Sequence, residues 1–432
     1  MEICVTSASG IEAVTKRELY KITGEKDLAA VDGRICFEGD EETLAECNLL
    51  LRTANRVEII VGRFRAETFD DLFDGIKRIE WEKYIDKDGQ IIVSAKSVMS
   101  KLFAYSAIQS ITKKAVCERL KSAYKSINLT ESGARYKIEA AIRKDFVTVS
   151  LDTSGDGLHR RGYRGLVGEA PLKETLASAL IQLSVWEPSR PFADIFCGTG
   201  TIPVEAALIA ANIPSGMNRD FDYLHWKGTD RAIFDKIKEK AASGINTDRE
   251  VRISGFDIDE KQLKLARKHA EIAGVKNMIH FQRADMREFS SRFSHGVIIS
   301  NPPYGERLSE RREIEKLYRD YGKTVKNLDE WCCYTLTSVD DFERLFGRKA
   351  DKKRKIYNGK LECNFYSMLA APPKKQSFVE PPKKQSSVEP PKKQSFVEPP
   401  KKQSFVQPPE KQSFVASKRA TTGNETESET EN

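Results

Sequence analysis

Two patterns of apolar and polar positions divide the chain. From about residue 190 to 370, short runs dense in apolar, β-branched or aromatic residues (PFADIF, RISGFD, MIHFQ, GVIIS, WCCYTLTS) recur. Between several of them lie stretches of helical periodicity such as TIPVEAALIAAN and DEKQLKLARKHAEIAG. Strands alternating with amphipathic helices predict a parallel sheet covered on both faces, an α/β fold. KRKIYN and LECNFYSML, parted only by Gly359-Lys360, predict a β-hairpin at the sheet's end. The first 155 residues read differently. ICVTSA, RICFEG, NRVEIIVGRF, QIIVSAKS and YKIEAAIRKDFVTVSLD alternate as half-exposed strands, while SGIEAVTKRELYKIT, DEETLAECNLLLRT, TFDDLFDGIKRI and SAIQSITKKAVCERLKSAY have helical spacing. These predict an α+β region of two small units. The segment LHRRGYRGLVGEAPLKETLASAL, 158–180, joins the halves as a glycine-rich loop entering a helix.

Beyond 371 the periodicity gives way to a nine-residue unit, PPKKQSFVE, present twice and in three variants, covering 372–416. Paired prolines at that interval forbid helix and sheet interior, so 372–432 is expected to be an extended, disordered tail outside the fold. Its lysine pairs could add loose phosphate contacts.

Composition narrows the class only modestly. With 71 basic and 64 acidic residues among 432, the net charge of +7 permits a polyanionic partner without demanding one. The sequence has no apolar run of membrane-spanning length and no signal-peptide pattern, so a cytoplasmic protein without membrane partners is expected. Eight scattered cysteines without a C-x-x-C pair suggest buried, reduced thiols rather than disulfides or zinc, and no metal site is expected.

The chemistry concentrates at the ends of the C-terminal strands. In DIFCGTGT, 194–201, Gly198 and Gly200 permit backbone conformations closed to other residues and let a ligand approach the main chain. Thr201 is placed to cap the following helix, whose free N–H groups face the ligand. The third glycine of a dinucleotide fingerprint is replaced by Pro203, which argues against pyrophosphate; Asp194 suits a cationic amine or ribose hydroxyls instead. Asp257 in GFDID can accept two ribose hydroxyls, and Asp285 in RADM an adenine amino group. SNPPYG ends the fourth strand. Any one of these could be a surface residue at a turn. Four at successive strand ends define the place where open α/β sheets bind ligands.

With these motifs the sequence resembles the class I S-adenosylmethionine-dependent methyltransferases: DIFCGTG as their glycine-rich motif, FDID and AD as their acidic ligand positions, NPPY as the motif of enzymes that methylate exocyclic amino groups. SGIEAVTKREL, a THUMP-like stretch, GEAPLKETLASALI, AANIPSGMNRDF and TSVDDFERLFGRKADKKRKIYNGKLECNFY extend the likeness, over roughly 1–370, to bacterial THUMP-containing guanine-N2 methyltransferases of 23S rRNA. The resemblance implies a ferredoxin-like unit at 1–60, a THUMP RNA-binding domain at 61–155 and a Rossmann-like methyltransferase domain at 156–371. It implies S-adenosylmethionine held by Asp194, Phe196, Gly198, Gly200, Thr201, Asp257, Ile258, Asp285, Met286 and Asn301, with Glu169 and Lys173 at its amino acid end.

NPPY suits an amino nitrogen on physical grounds. The exocyclic lone pair is delocalised into the ring and must be localised to attack. The Asn301 side-chain oxygen and the Pro302 carbonyl can each accept from the N–H2, Pro302-Pro303 stiffens the backbone, and Tyr304 can stack on the base. For the RNA partner, Arg160, Arg161 and Arg164 of LHRRGYRG fall at the implied substrate entrance, with His159 as an RNA contact or structural donor. Lys101, Lys113, Lys114, Arg119, Lys121 and Lys125 form a basic run on a predicted helix and its flanks. The rival readings are the same chemistry on tRNA, adenine-N6 methylation of DNA, and a non-catalytic RNA-binding or ribosome-assembly protein.

Overall fold

The structure, a computed structural model, describes residues 1–164, 172–305, 311–328 and 330–370. The expected repeat tail at 372–432 and Glu169 lie outside these residues.

The N-terminal half runs β1 (Glu2–Ser7), α1 (Glu12–Thr23), β2 (Ala30–Val31), β3 (Arg34–Glu38), α2 (Glu41–Leu50), β4 (Ala54–Arg65), α3 (Phe69–Arg78), β5 (Gln90–Val98), α4 (Tyr105–Ala123), β6 (Arg135–Arg143) and β7 (Phe146–Asp152). The two small units expected here share one continuous sheet, in the order β2-β3-β1-β4-β7-β6-β5. The reason is the length of β4. Its first residues pair with β1 and its later ones with β7, so this one strand stitches both units together and runs through the expected division at residue 60. Helix α3 begins in a reciprocal capping box, Thr68 and Asp71 each accepting from the other's backbone, which places its start where the sequence TFDD puts it.

The C-terminal half comprises α5 (Glu174–Leu183), β8 (Phe192–Asp194), α6 (Thr201–Ala210), α7 (Arg231–Ser243), β9 (Ile253–Asp257), α8 (Glu260–Ile272), β10 (Ile279–Arg283), β11 (Val297–Ser300), α9 (Arg311–Lys326), β12 (Cys332–Thr337), α10 (Phe342–Phe346), β13 (Lys352–Asn358) and β14 (Leu361–Met368). Its sheet has the order β10-β9-β8-β11-β12-β14-β13, with β10, β9, β8, β11 and β12 parallel and β14 antiparallel to both its neighbours, β12 and β13. The chain winds outward from β8 through β9 to β10, then crosses back to lay β11 on the other side of β8. That reversal makes the β8/β11 boundary the switch point at which such sheets open a crevice. The closing hairpin turns at Gly359, whose φ of +66° a side chain would disfavour.

The halves share packing. Phe221, Tyr223, Leu224, Trp226, Phe234 and Ile237, from the loop before α7 and from α7 itself, are buried in the N-terminal core, where Trp226 stacks on Tyr136 at 5.1 Å. One cysteine expectation is overturned. Cys4 and Cys36 sit directly opposite on β1 and β3, with Cα atoms 4.1 Å apart, and their sulfurs are bonded. Sequence spacing cannot show this, because the pairing is made across strands. The other six cysteines are free, five buried and Cys117 half-buried.

Candidate active site

The site is assembled at the carboxyl ends of β8, β9, β10 and β11. Asp194 closes β8 with only 1% of its surface exposed, and burial pushes its carboxyl up to about 7. Its Oδ1 accepts from the Ser300 hydroxyl at 2.8 Å and from the Phe196 N–H at 3.1 Å, while Ser300 Oγ accepts from Ile195 N–H at 3.1 Å. Ser300 thus ties the strand that feeds the glycine loop to the strand that delivers Asn301. It was missed in the sequence reading; its one signal is a small polar residue ending the apolar run GVIIS.

In the glycine loop both Gly198 and Gly200 take positive φ, +50° and +80°. They differ in surroundings. A Cβ on Gly200 would meet Ala266 Cβ at 2.8 Å, so this glycine serves close helix packing, whereas a Cβ on Gly198 would meet nothing within 4 Å. The open side of Gly198 leaves the main chain accessible to a ligand. The capping role expected of Thr201 is not found: Gly200 occupies the N-cap in left-handed conformation without a side-chain bond, and Thr201 is buried as the first helical residue. The N–H groups of Thr201 and Ile202 in the first turn of α6 are therefore left without a side-chain cap.

Asp257, at the end of β9, accepts from Gly198 N–H at 2.8 Å on one oxygen and from Asp259 N–H at 2.9 Å on the other. It therefore braces the glycine loop as well as standing at the ligand position. Asp285 is held by Arg287, through its backbone N–H and Nε at 2.9 Å each, and these contacts keep its carboxyl low, at about 2. Ile258 is 62% exposed beside the site and free to contact a planar group. Phe196 is half-buried, its ring edge-on to Tyr321 at 5.2 Å. Met286 does not present its side chain: it is buried among Ile195, Ile298 and Tyr321, so only its backbone is left to serve a ligand.

At the end of β11, Pro302 is buried and Pro303 exposed. Tyr318 donates to the Pro303 carbonyl at 3.2 Å, which fixes the loop from below. Tyr304 is half-buried rather than splayed outward, and its hydroxyl donates to Asn301 Oδ1. The oxygen expected to receive an amino group is thus capped by the chain's own tyrosine.

The basic residues scatter. Arg161 is withdrawn from the surface altogether: its guanidinium donates to the carbonyls of Leu158 and Arg52 and lies 3.6 Å from Glu205, with 2% and 0% of the two side chains exposed. Arg164 is largely buried on Glu174 at 3.1 Å and the Leu172 carbonyl. These two are corrections to the expected RNA contacts, and the cause is the same: buried acids on α5 and α6, invisible as partners in sequence, claim them. Arg160 stays exposed, 3.3 Å from Asp156, and Lys173 is exposed at the start of α5. On α4, Lys113 pairs with Glu131 at 2.8 Å, Arg119 with Glu82, and Lys114 lies over the Phe73 ring at 5.7 Å; Lys101 is held by Glu67. Lys121 and Lys125 are exposed. Among the described residues no group of His, Cys, Asp and Glu is arranged to hold a metal ion, and no helix is long and apolar enough to cross a membrane.

Comparison with known proteins agrees with this geometry. Family models match for an RlmL ferredoxin-like domain at 2–58, a THUMP domain at 66–152 and an RMKL-like methyltransferase domain at 161–367. The chain is 42% identical to YpsC of Bacillus subtilis strain 168, provisionally named an RNA methyltransferase, over 84% of this chain and 94% of that protein. It is 33% identical to the ribosomal RNA large subunit methyltransferase K/L of Shewanella baltica over 85% of this chain but 53% of that protein, so it spans about half the length of the K/L proteins. Among solved structures, SMU.472 complexed with SAH superposes with a TM-score of 0.81 at 42% identity, covering 86% of this chain and 98% of that one. A Listeria monocytogenes protein with the predicted activity of an N6-adenine-specific DNA methylase gives 0.81 at 42% over 86% and 96%. A glycine loop open beside Gly198, a buried acid and two further carboxylates at successive strand ends fit S-adenosylmethionine, and the chain accordingly belongs to the THUMP-domain class I S-adenosylmethionine-dependent methyltransferases related to the bacterial K/L-type rRNA enzymes.

Proposed function

We propose that this enzyme transfers the methyl group of S-adenosylmethionine to the exocyclic N2 amino group of a guanine in 23S rRNA. The observation that carries the reading is Asn301-Pro302-Pro303-Tyr304 at the end of β11, joined through Ser300 to Asp194 beside the glycine loop. When bound, the cofactor supplies an electrophilic methyl on a sulfonium. The chain's part is to bind and to aim. Asp194, Phe196, Gly198, Gly200 and the start of α6 take the amino acid end; Asp257 takes the ribose; Ile258, Asp285 and the backbone at Met286 take the adenine. An ionised carboxylate has about four acceptor positions, so Asp257 can keep Gly198 and Asp259 and still accept hydroxyls. Asn301 Oδ1 and the Pro302 carbonyl accept the two amino hydrogens and hold the nitrogen lone pair toward the methyl group. No strong base is required, because a proton leaves readily once the nitrogen carries positive charge. The match to a THUMP domain and the K/L relatives support RNA as the substrate.

Asp257→Ala is expected to weaken the cofactor by about 1.5 to 3 kcal/mol for each charge-assisted bond lost. Calorimetry on the folded variant measures it. Unchanged affinity would move the ribose acceptor elsewhere, with Asp259 the first substitute.

The Asp194 carboxyl makes binding pH-dependent. Its folded pKa of about 7 lies above the ordinary carboxylate range, so through that window the folded chain holds a proton that the unfolded chain has lost. Folding stability from this group is therefore highest at low pH and declines as pH rises through about 7. Affinity for a cofactor carrying an ammonium should run the opposite way, increasing as Asp194 ionises. Asp194→Asn should flatten both dependences, and an unchanged pH profile of cofactor affinity would remove Asp194 from the amine.

The function itself is tested by mass spectrometry of nucleosides from 23S rRNA, tRNA and DNA of cells with and without the gene. Loss of N2-methylguanosine from 23S rRNA supports the proposal. Its loss from tRNA alone, or loss of N6-methyladenine from DNA, the reading that the Listeria relative's predicted activity favours, would replace it.

A further inference from the structure

A cavity of about 810 Å³ lies away from the strand ends, walled by Arg135 of β6, by His159, Arg160 and Arg164 of the joining segment, by Lys173 at the start of α5, and by Arg219. Three of its four carboxylates pair with arginines, and the fourth meets a histidine ring. Asp222 holds Arg135 at 2.6 Å, Glu174 holds Arg164 at 3.1 Å, Asp156 meets Arg160 at 3.3 Å and Asp220 meets His225 at 2.6 Å. Lys173 and Arg219 have no carboxylate at ion-pair distance among the described residues.

Arg219 is the unusual member. Its terminal nitrogens donate to four backbone carbonyls, of Ser154, Asp156, Gly157 and Arg160, at 2.6 to 3.2 Å, and its Nε is buried without a partner. Carbonyls satisfy the guanidinium's hydrogen bonds, and the nearby Asp156 and Asp152 offset its charge only from a distance. Burial, with the positive charge of Lys173, Arg160, Arg161 and Arg219 around it, holds the His159 imidazole down to about 4, so the ring is neutral at pH 7 and adds no further repulsion. A concave wall with surplus positive charge and a neutral donor attracts a compact anion.

We propose that this cavity seats a backbone phosphodiester of the substrate RNA against Lys173 and Arg160, in the field of the Arg219 charge, with His159 beside it. The assignment rests on the RNA reading above and gives it a location: His159, Arg160 and Lys173, at the join between the RNA-binding half and the methyltransferase half, hold the strand. It also moves Lys173 from the cofactor's amino acid end to the RNA.

The test measures binding of a 23S rRNA fragment to the full chain across a salt series, with Lys173→Gln and Arg160→Gln, both exposed and outside the core, and Lys240→Gln on a different surface as control. Each cavity variant should lower the slope of log affinity against log salt by about one, with the control unchanged. S-adenosylmethionine affinity, measured alongside, should stay at the wild-type value. Unaltered slopes in both cavity variants overturn the proposal while leaving RNA methylation standing. A Lys173→Gln loss confined to the cofactor overturns it too, in favour of the cofactor's carboxylate. Calorimetric binding of inorganic phosphate to the wild type, combined with unaltered RNA slopes, would make it a free-anion site and likewise reject the RNA assignment. A wild-type chain that binds no rRNA at all would refute the RNA reading and this proposal together.

Discussion

Asn301→Ala is expected to cut turnover by a few hundredfold, on the order of 3 to 4 kcal/mol in the transition state, while cofactor and RNA affinities move far less. The amino group of guanine becomes nucleophilic only as its lone pair leaves the ring, so the oxygen that holds its hydrogens acts most strongly at the transition state. Before substrate enters, that oxygen accepts from the Tyr304 hydroxyl. The arriving amino group must displace or share this bond, which frees the tyrosine ring to stack on the base. Tyr304→Ala should therefore show a smaller loss, about 1 to 3 kcal/mol, expressed mainly in RNA capture. Single-turnover transfer of labelled methyl, with separate affinity measurements, distinguishes the two. Near-full turnover by Asn301→Ala would place the chemistry outside this motif.

Glu205→Ala should destabilise the fold by about 3 to 5 kcal/mol, because it strands a buried guanidinium. Glu205 on α6 accepts from Tyr163 at 3.1 Å and from Ser178 of α5, and lies 3.6 Å from Arg161, all of them buried. Arg52, half-buried nearby, adds a second cation that Glu205 helps to offset, together with Glu18. Removing the carboxylate leaves two positive charges with too little to balance them. Chemical denaturation measures the loss. A Glu205→Ala protein of wild-type stability would show that Arg161 is compensated elsewhere.

The strands of the C-terminal half and its helices α5, α6 and α8 were legible because each carries its own signal, period two or period 3.6, and because Gly198, Gly200, Asp257, Asp285 and Asn301 follow apolar runs at which a parallel sheet ends. Local chemistry also sufficed for the hairpin at Gly359 and the start of α3. What the sequence could not decide was pairing between distant residues. Strand β4 reads as any alternating strand, and only its two sets of partners reveal that it joins both N-terminal units into one sheet. Cys4 and Cys36 are unremarkable until β1 and β3 lie in register. Arg160, Arg161 and Arg164 look alike in LHRRGYRG, yet tertiary contacts bury the second against Glu205 and the third against Glu174, leaving the first exposed. Periodicity and turn chemistry are properties of neighbours along the chain, so the sequence states them directly. The fate of a charge depends on which acid, carbonyl or solvent the folded chain brings to it, and that is determined only when the two halves pack.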